Sequence, residues 1–178
     1  MADKSAETVL REVLEAFKNV PYPGDDRLIV PHCSQCLELQ GTFARARRTE
    51  EWIEKPLEFF KPTRLNSAYL TEDAYRYFFP LLAAAVVRHS RESDLLNETI
   101  IWNFDPFFSG KSAEVPEKRL SAVNKRIAAL SQAQRQAIIA LFGFFKSAHP
   151  EDYLECGSIE RASANLREGR VIRPKSVE

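Results

Sequence analysis

The sequence predicts a mainly α-helical protein, a single-domain multi-helix bundle with little or no β structure, and three observations predict it. Apolar residues recur at steps of three and four in several long stretches. Gly and Pro punctuate the chain between those stretches, where helices must stop. The most apolar and aromatic segment, Thr71 to Arg88, has the spacing of one buried central helix. In it Tyr75, Phe78, Phe79, Leu82 and Val86 share a face, and Ala83, Ala84 and Ala85 lie beside it, small enough for neighbouring helices to approach. Thr71 suits the N-cap, with Glu72 and Asp73 in the first turn and Arg88 and His89 at the other end, as the helix dipole favours. Pro80 removes one hydrogen bond and crowds the turn before it, so a kink or a break is expected there.

Composition bounds the class. A chain of 178 residues suits one domain spanning 1–178, with its core in about 5–150 and a peripheral tail over 151–178. Hydrophobic residues make up 44%, with 12 Phe and 2 Trp, enough for a core and too many for a disordered chain. Lys plus Arg and Asp plus Glu both number 25, and this neutrality argues against the strongly basic face that nucleic-acid binding needs. The longest apolar run, Tyr77 to Val87, is short of the ~20 residues that span a bilayer, so no membrane segment is expected. Residues 1–20 carry charges throughout and hold no apolar leader core, which points to the cytoplasm. Three Cys in a reducing compartment read as thiols, metal ligands or redox groups and not as a disulfide framework.

Taken in order, the first helix runs from about Ser5 to Asn19, with Val9, Leu10, Val13, Leu14 and Phe17 as its apolar stripe. Pro21, Pro23 and Gly24 end it, and Asp25-Asp26 extends the turn. Leu28-Ile29-Val30 reads as a short extended segment before Pro31. Leu37 to Gln40 reads as a short helix stopped by Gly41. Arg45, Arg47 and Arg48 are followed at helix-pair distances by Glu50, Glu51 and Glu54, so they read as a solvated face. Trp52 and Ile53 are expected to anchor that segment, and Pro56 opens a short helix over 57–61 that Pro62 breaks. Ser90 to Asp94 is a polar connection, and Leu95 to Trp102 is a helix or an extended apolar segment. A long loop follows to Pro116. Its aromatics Phe104, Phe107 and Phe108 either plug the core or form an exposed apolar patch for a partner.

The helical pattern returns at Glu117, with Leu120, Val123, Ile127 and Leu130 as the stripe and Lys118, Arg119, Lys125 and Arg126 outside it. Ser131 and Gln134 match a capping box, so a new helix begins there, with Ile138, Ile139, Leu141, Phe142 and Phe145 on a broad apolar face, and ends at His149-Pro150. Ser158 to Glu168 reads as a peripheral helix closed by Gly169, and Val171 to Glu178 read as a loose end.

The Tyr-Pro-Gly-Asp turn at Tyr22 to Asp25, the His/Cys element at His32 to Cys36, the Trp52 segment and the Leu70-Thr71 start of an aromatic helix before Pro80 come in a particular order. That order resembles a group of small bacterial proteins classed as a domain of unknown function, over about Val9 to Phe145. The resemblance implies a bacterial protein and brings no catalytic residues with it.

The one constellation with a chemical reading is His32, Cys33 and Cys36. Two Cys separated by two residues turn both sulfurs to the same side of a short loop, where they can hold half of a tetrahedral zinc site. His149 and Cys156 are the candidates for the other half, and a metal there would staple the C-terminal segment to the region after the first helix. The same C-x-x-C at a helix start also fits thiol redox chemistry, with a nucleophilic first Cys and a resolving second one. The later strands of a thioredoxin-like sheet are missing from the pattern, and two semi-buried structural thiols are the plain alternative. No Gly-rich phosphate loop, G-x-S-x-G or H-E-x-x-H occurs, and no catalytic residues are assigned. Small, neutral and poor in motifs, the chain reads as a non-enzymatic bacterial protein acting through contact with a protein partner, of immunity or adaptor type. The alternative is a zinc-binding or thiol-redox protein centred on Cys33 and Cys36.

Overall fold

A helix interior satisfies its own backbone, so the places where this chain leaves a helix determine how the rest is held. The computed structural model describes residues 5–30, 40, 41, 43, 44, 69–89, 94–107, 115–148 and 157–173. Among them are six α-helices: α1 (Ala6–Phe17), α2 (Glu72–Arg88), α3 (Asp94–Trp102), α4 (Glu117–Ala128), α5 (Gln132–Ala148) and α6 (Ser158–Glu168), with a 3₁₀ turn at Asp25–Arg27. The β structure among the described residues is one isolated antiparallel bridge between Ile29 and Leu70, and the helical-bundle class holds. None of the helices is long and apolar enough to cross a membrane, among the described residues. The chain divides into two compact units, Ala6–Thr99 and Ile100–Glu178 with Met1–Ser5. The expected Trp52 and Ile53 anchor, the helix over 57–61 and the His32 to Cys36 element lie outside the described residues.

In the first unit α2 is buried on nearly every side: from Ala74 to Val87 Arg76 alone is not buried. Its aromatic residues carry the packing. Phe17 of α1 stacks on Phe79 with ring centroids 4.9 Å apart, Phe43 packs on Phe78 at 4.7 Å, and Tyr75 lies 5.7 Å from Phe79. Val9, Leu10, Val13 and Phe17 turn the buried face of α1 to this core, and α1 packs directly against α2. Pro80 neither ends nor divides the helix. Its missing N–H deprives the Arg76 carbonyl of its helical donor, a cost of about 3 kcal/mol. Phe78, Phe79, Leu81 and Leu82 beside it are no more than 1% exposed, and each such burial contributes about 1.5–3 kcal/mol, so packing outweighs the lost bond.

The turn after α1 is tied to the start of α2. Gly24 has φ +100°, and a Cβ there would sit 2.9 Å from Asp26 Oδ1, so the turn requires glycine. Tyr22 donates its hydroxyl to Asp25 Oδ1 and sets its ring edge-on to Tyr77 at 5.1 Å. Gln40 donates to the Asp25 carbonyl at 2.8 Å. Gly41 is itself helical, as are Gln40, Phe43 and Ala44, so Gly41 is not the stop expected of it; with open space around its Cβ position, nothing there forces one. Of the expected extended segment, Leu28 instead has helical backbone (φ −78°, ψ −40°) as it leaves the 3₁₀ turn, and Ile29 forms the bridge. The backbone is paired, with Val30 N–H donating to the Tyr69 carbonyl at 3.0 Å and Thr71 N–H to the Leu28 carbonyl at 3.1 Å. Thr71 works twice more. Its Oγ1 accepts from Ala74 N–H at 3.2 Å as the N-cap and donates to the Arg27 carbonyl at 2.7 Å.

In the second unit Leu120, Val123 and Ile127 form the buried stripe of α4. Arg126, expected outside that stripe, is buried instead, with its guanidinium donating to Asn103 Oδ1. The capping box at α5 forms in both directions: Gln134 N–H donates to Ser131 Oγ at 3.2 Å and Ser131 N–H to Gln134 Oε1 at 3.0 Å. Ile138, Leu141, Phe142 and Phe145 bury the face of α5 that the spacing predicts. The α6 helix has the expected bounds, and Gly169 closes it at φ +73° with Arg170 N–H donating to the Asn165 carbonyl at 3.1 Å. It is not peripheral, however. Ile159, Ala162 and Leu166 are buried and α6 packs on α5, since three apolar residues on one face are enough to dock a short helix. Nor is the end of the chain loose at Val171 and Ile172, whose N–H groups donate to Asn124 Oδ1 and Asn165 Oδ1.

Thr71→Val keeps the shape of the side chain and removes both hydroxyl bonds, so we expect a loss of about 2 kcal/mol in urea unfolding, against less than about 1 kcal/mol for Thr71→Ser. Equal losses in the two variants would show that the hydroxyl does not hold this junction.

Candidate functional site

The segment Asn103 to Phe107, directly after α3, gathers most of the buried polar chemistry of the second unit. Asp105 is wholly buried and its carboxylate takes three donors: Phe107 N–H on Oδ1 at 3.0 Å, and Arg161 Nε at 3.1 Å and Nη2 at 2.9 Å on Oδ2. The first of these closes an Asx turn across Pro106, a conformation that Asp before Pro favours. Asn165, also buried, donates to the Phe104 carbonyl at 2.8 Å and accepts from Ile172 N–H at 2.7 Å. Asn103 accepts from Arg126, and Asn124 accepts from Val171 N–H at 2.8 Å. These polar side chains therefore tie the loop and the segment after α6 to the helices; the chemistry they perform is structural.

Of the two readings of the loop aromatics, this arrangement matches the core plug for Phe104 and Phe107 and corrects the exposed patch for them. Phe104 is fully buried with its ring edge-on to Phe142 at 6.1 Å, and Phe107 is 7% exposed. They are held inside because the Asp105 turn aims the backbone inward and Phe142 offers a ring to pack on. Phe108 lies outside the described residues. So do all five residues proposed to hold zinc, His32, Cys33, Cys36, His149 and Cys156. Among the described residues no group of three His, Cys, Asp or Glu is placed to hold a metal ion.

The surface of the second unit has a different character from the neutral chain as a whole. Between positions 115 and 148 stand Lys118, Arg119, Lys125, Arg126, Arg135 and Lys146 against the single acid Glu117, and Arg167, Arg170 and Arg173 follow near the end of α6. Two of these are in exposed ion pairs, Lys146 with Glu160 at 2.6 Å and Arg173 with Glu117 at 2.5 Å. Lys118, Arg119, Lys125, Arg167 and Arg170 are exposed, and Arg135 is half-buried; none of the six has an ion-pair partner among the described residues. Several converge. The Val171–Asn124 bond lays the chain after α6 beside Lys125, and a methyl placed on Gly169 would collide with the Arg135 guanidinium, which brings α5 to the same corner. Sequence spacing shows each cation but not this convergence, which needs three helices.

Glu160, the partner of Lys146, has a lowered titration. The hydrogen bond from Lys146 is the largest cause and holds its carboxyl below the ordinary 4.5; slight burial pushes the other way, and the Lys146 and Arg161 charges add to the lowering.

Comparison with known proteins finds no matching family model, no matching curated protein and no matching solved structure.

Two outcomes follow for this unit. Asp105→Ala leaves Arg161 and the Phe107 N–H without their acceptor, and we expect a loss of about 3 kcal/mol in urea unfolding, with Asp105→Asn losing less because it can still accept from Phe107. Equal stability of Asp105→Ala and wild type would remove the carboxylate as an organising element. For Glu160, a lowered folded value means that the ionised form favours folding: the contribution is complete above 4.5 and is lost as the pH falls through the folded value. Glu160→Gln should therefore flatten the acid side of the thermal-stability profile below about pH 4.5. An unchanged slope there would show that the Lys146 pair contributes nothing.

Proposed function

We propose that this is a non-enzymatic bacterial cytoplasmic protein that acts by binding a protein partner, in an immunity or adaptor role. The observation that carries this reading is the set of surface cations on the second unit that have no ion-pair partner among the described residues. Arg and Lys so placed keep their capacity for an acidic partner, and such charges raise the rate and specificity of encounter. The polar residues beneath them are engaged in the fold itself, Asp105 with Arg161 and Asn165 with the Phe104 carbonyl. Membership of the small bacterial family with the Tyr22 to Asp25 turn and the Leu70-Thr71 helix belongs to the same reading. A second reading, zinc binding or thiol redox chemistry, rests on the C-x-x-C spacing of Cys33 and Cys36, which suits a shared metal or a reversible disulfide.

One purification separates the two. The tagged chain and its Cys33→Ser variant, expressed in bacterial cells, are isolated at low salt, and the eluates are analysed for protein stoichiometry, zinc content and free thiols. The partner reading predicts a co-purifying protein near one to one in both, released as salt is raised. A chain that elutes alone with near-stoichiometric zinc, lost in Cys33→Ser, would overturn it in favour of the second reading.

A further inference from the structure

The segment that follows α6 is held in an unusual way for a surface strand. Its backbone is pinned at successive residues, Val171 N–H to Asn124 Oδ1 at 2.8 Å and Ile172 N–H to Asn165 Oδ1 at 2.7 Å. Asn165 is itself buried and bonded to the Phe104 carbonyl, so the pin reaches the core. Yet the side chain so rigidly positioned is left in water: Ile172 is 44% exposed. A frayed end exposes apolar residues at no structural expense, whereas here two buried or half-buried amides fix the backbone beneath an exposed one.

The surroundings of Ile172 are cationic. Arg170 and Arg173 flank it in the chain, Lys125 follows the Asn124 that pins Val171, and Arg135 lies over Gly169. Of these only Arg173 has an ion-pair partner among the described residues, the exposed Glu117. An apolar centre with a charged rim, rich in Arg, is the anatomy of a protein-binding surface.

We propose that Ile172, with Arg135, Arg170 and Lys125 around it, is a docking surface for an acidic segment of a partner protein that presents an apolar residue of its own. This deepens the partner-binding reading and rests on it. Charge complementarity sets the sign of the partner, and Ile172 sets its second requirement, since the apolar contact excludes water from the charge pairs and strengthens them. A nucleic-acid backbone fits less well, because it presents no apolar side chain to meet Ile172. The Asn pins lower the entropy lost on docking because the loop is already ordered.

The test uses fluorescence anisotropy with a labelled synthetic peptide of about fourteen residues, rich in Glu and Asp with a central Leu-Phe pair, long enough to cross the corner as an extended chain. A version with Ser-Ser at the centre and a single-stranded oligonucleotide of equal charge serve as comparisons. We expect the wild type to bind the Leu-Phe peptide about tenfold more tightly than the Ser-Ser one, and Ile172→Ser, with an unchanged melting curve, to erase that preference. Arg135→Gln with Arg170→Gln should weaken binding about tenfold, while the same charge loss on α1, Arg11→Gln with Lys18→Gln, should change it less than about twofold. Absence of binding, equal weakening by the α1 pair, or an oligonucleotide bound as tightly as the peptide would overturn the proposal. A cellular partner retained equally by wild type and Ile172→Ser would leave the partner reading standing and remove this surface. A chain that retains no partner would remove the partner reading, and the peptide measurements would still decide the surface.

Discussion

Backbone that leaves a helix inside a protein must still find donors and acceptors, and in this chain a few short polar side chains supply them. In the first unit the role falls to Thr71, whose hydroxyl caps α2 and reaches back to the Arg27 carbonyl while its N–H takes the Leu28 carbonyl. In the second unit it falls to Asp105 and Asn165, which close the turn after α3 and hold the segment after α6. The apolar packing depends on these junctions. Phe17 meets Phe79 only if the turn after α1 returns to the start of α2, and Phe104 meets Phe142 only if the Asp105 turn aims inward.

The same economy holds at the buried carboxylate of Asp105. Asp105 is wholly shielded from solvent. Two bonds from Arg161 and one from the Phe107 backbone occupy its oxygens, leaving little acceptor capacity for a substrate. Arg161 keeps about a third of its side chain exposed, so only one charge of the pair is fully desolvated. The result is a clasp between a loop and α6 with a stabilising, organising role.

Neutral net charge conceals a separation of charge along the chain. The 25 basic and 25 acidic residues balance over the whole sequence, yet the stretch from α4 to the end of α5 has six cations and one acid. Averages over composition argue about solubility and general affinity for phosphate; recognition depends on where charges stand. Here Arg135 of α5 lies against Gly169, Asn124 next to Lys125 of α4 holds Val171, and Arg170 lies between Gly169 and Val171 in the chain, two residues before an isoleucine whose backbone is fixed.

The sequence by itself determined the features that rest on neighbours within about four residues. The buried stripe of α1, the Thr71 cap, the Ser131–Gln134 capping box and the Gly169 stop are all interactions inside one helical turn, so residue type and spacing are sufficient. The tertiary structure alone decided what links distant positions. Arg126 and Asn103 are 23 residues apart, Asp105 and Arg161 are 56, and Asn165 reaches the Phe104 carbonyl across 61. Nothing local distinguishes Arg126 from the exposed Lys125 beside it, or buries Phe104 rather than leaving it at the surface, because each outcome depends on which helix arrives opposite. The candidate surface divides in the same way: its cations could be read one by one, but their convergence on Ile172 follows from helix packing, which brings together residues that the chain itself keeps far apart.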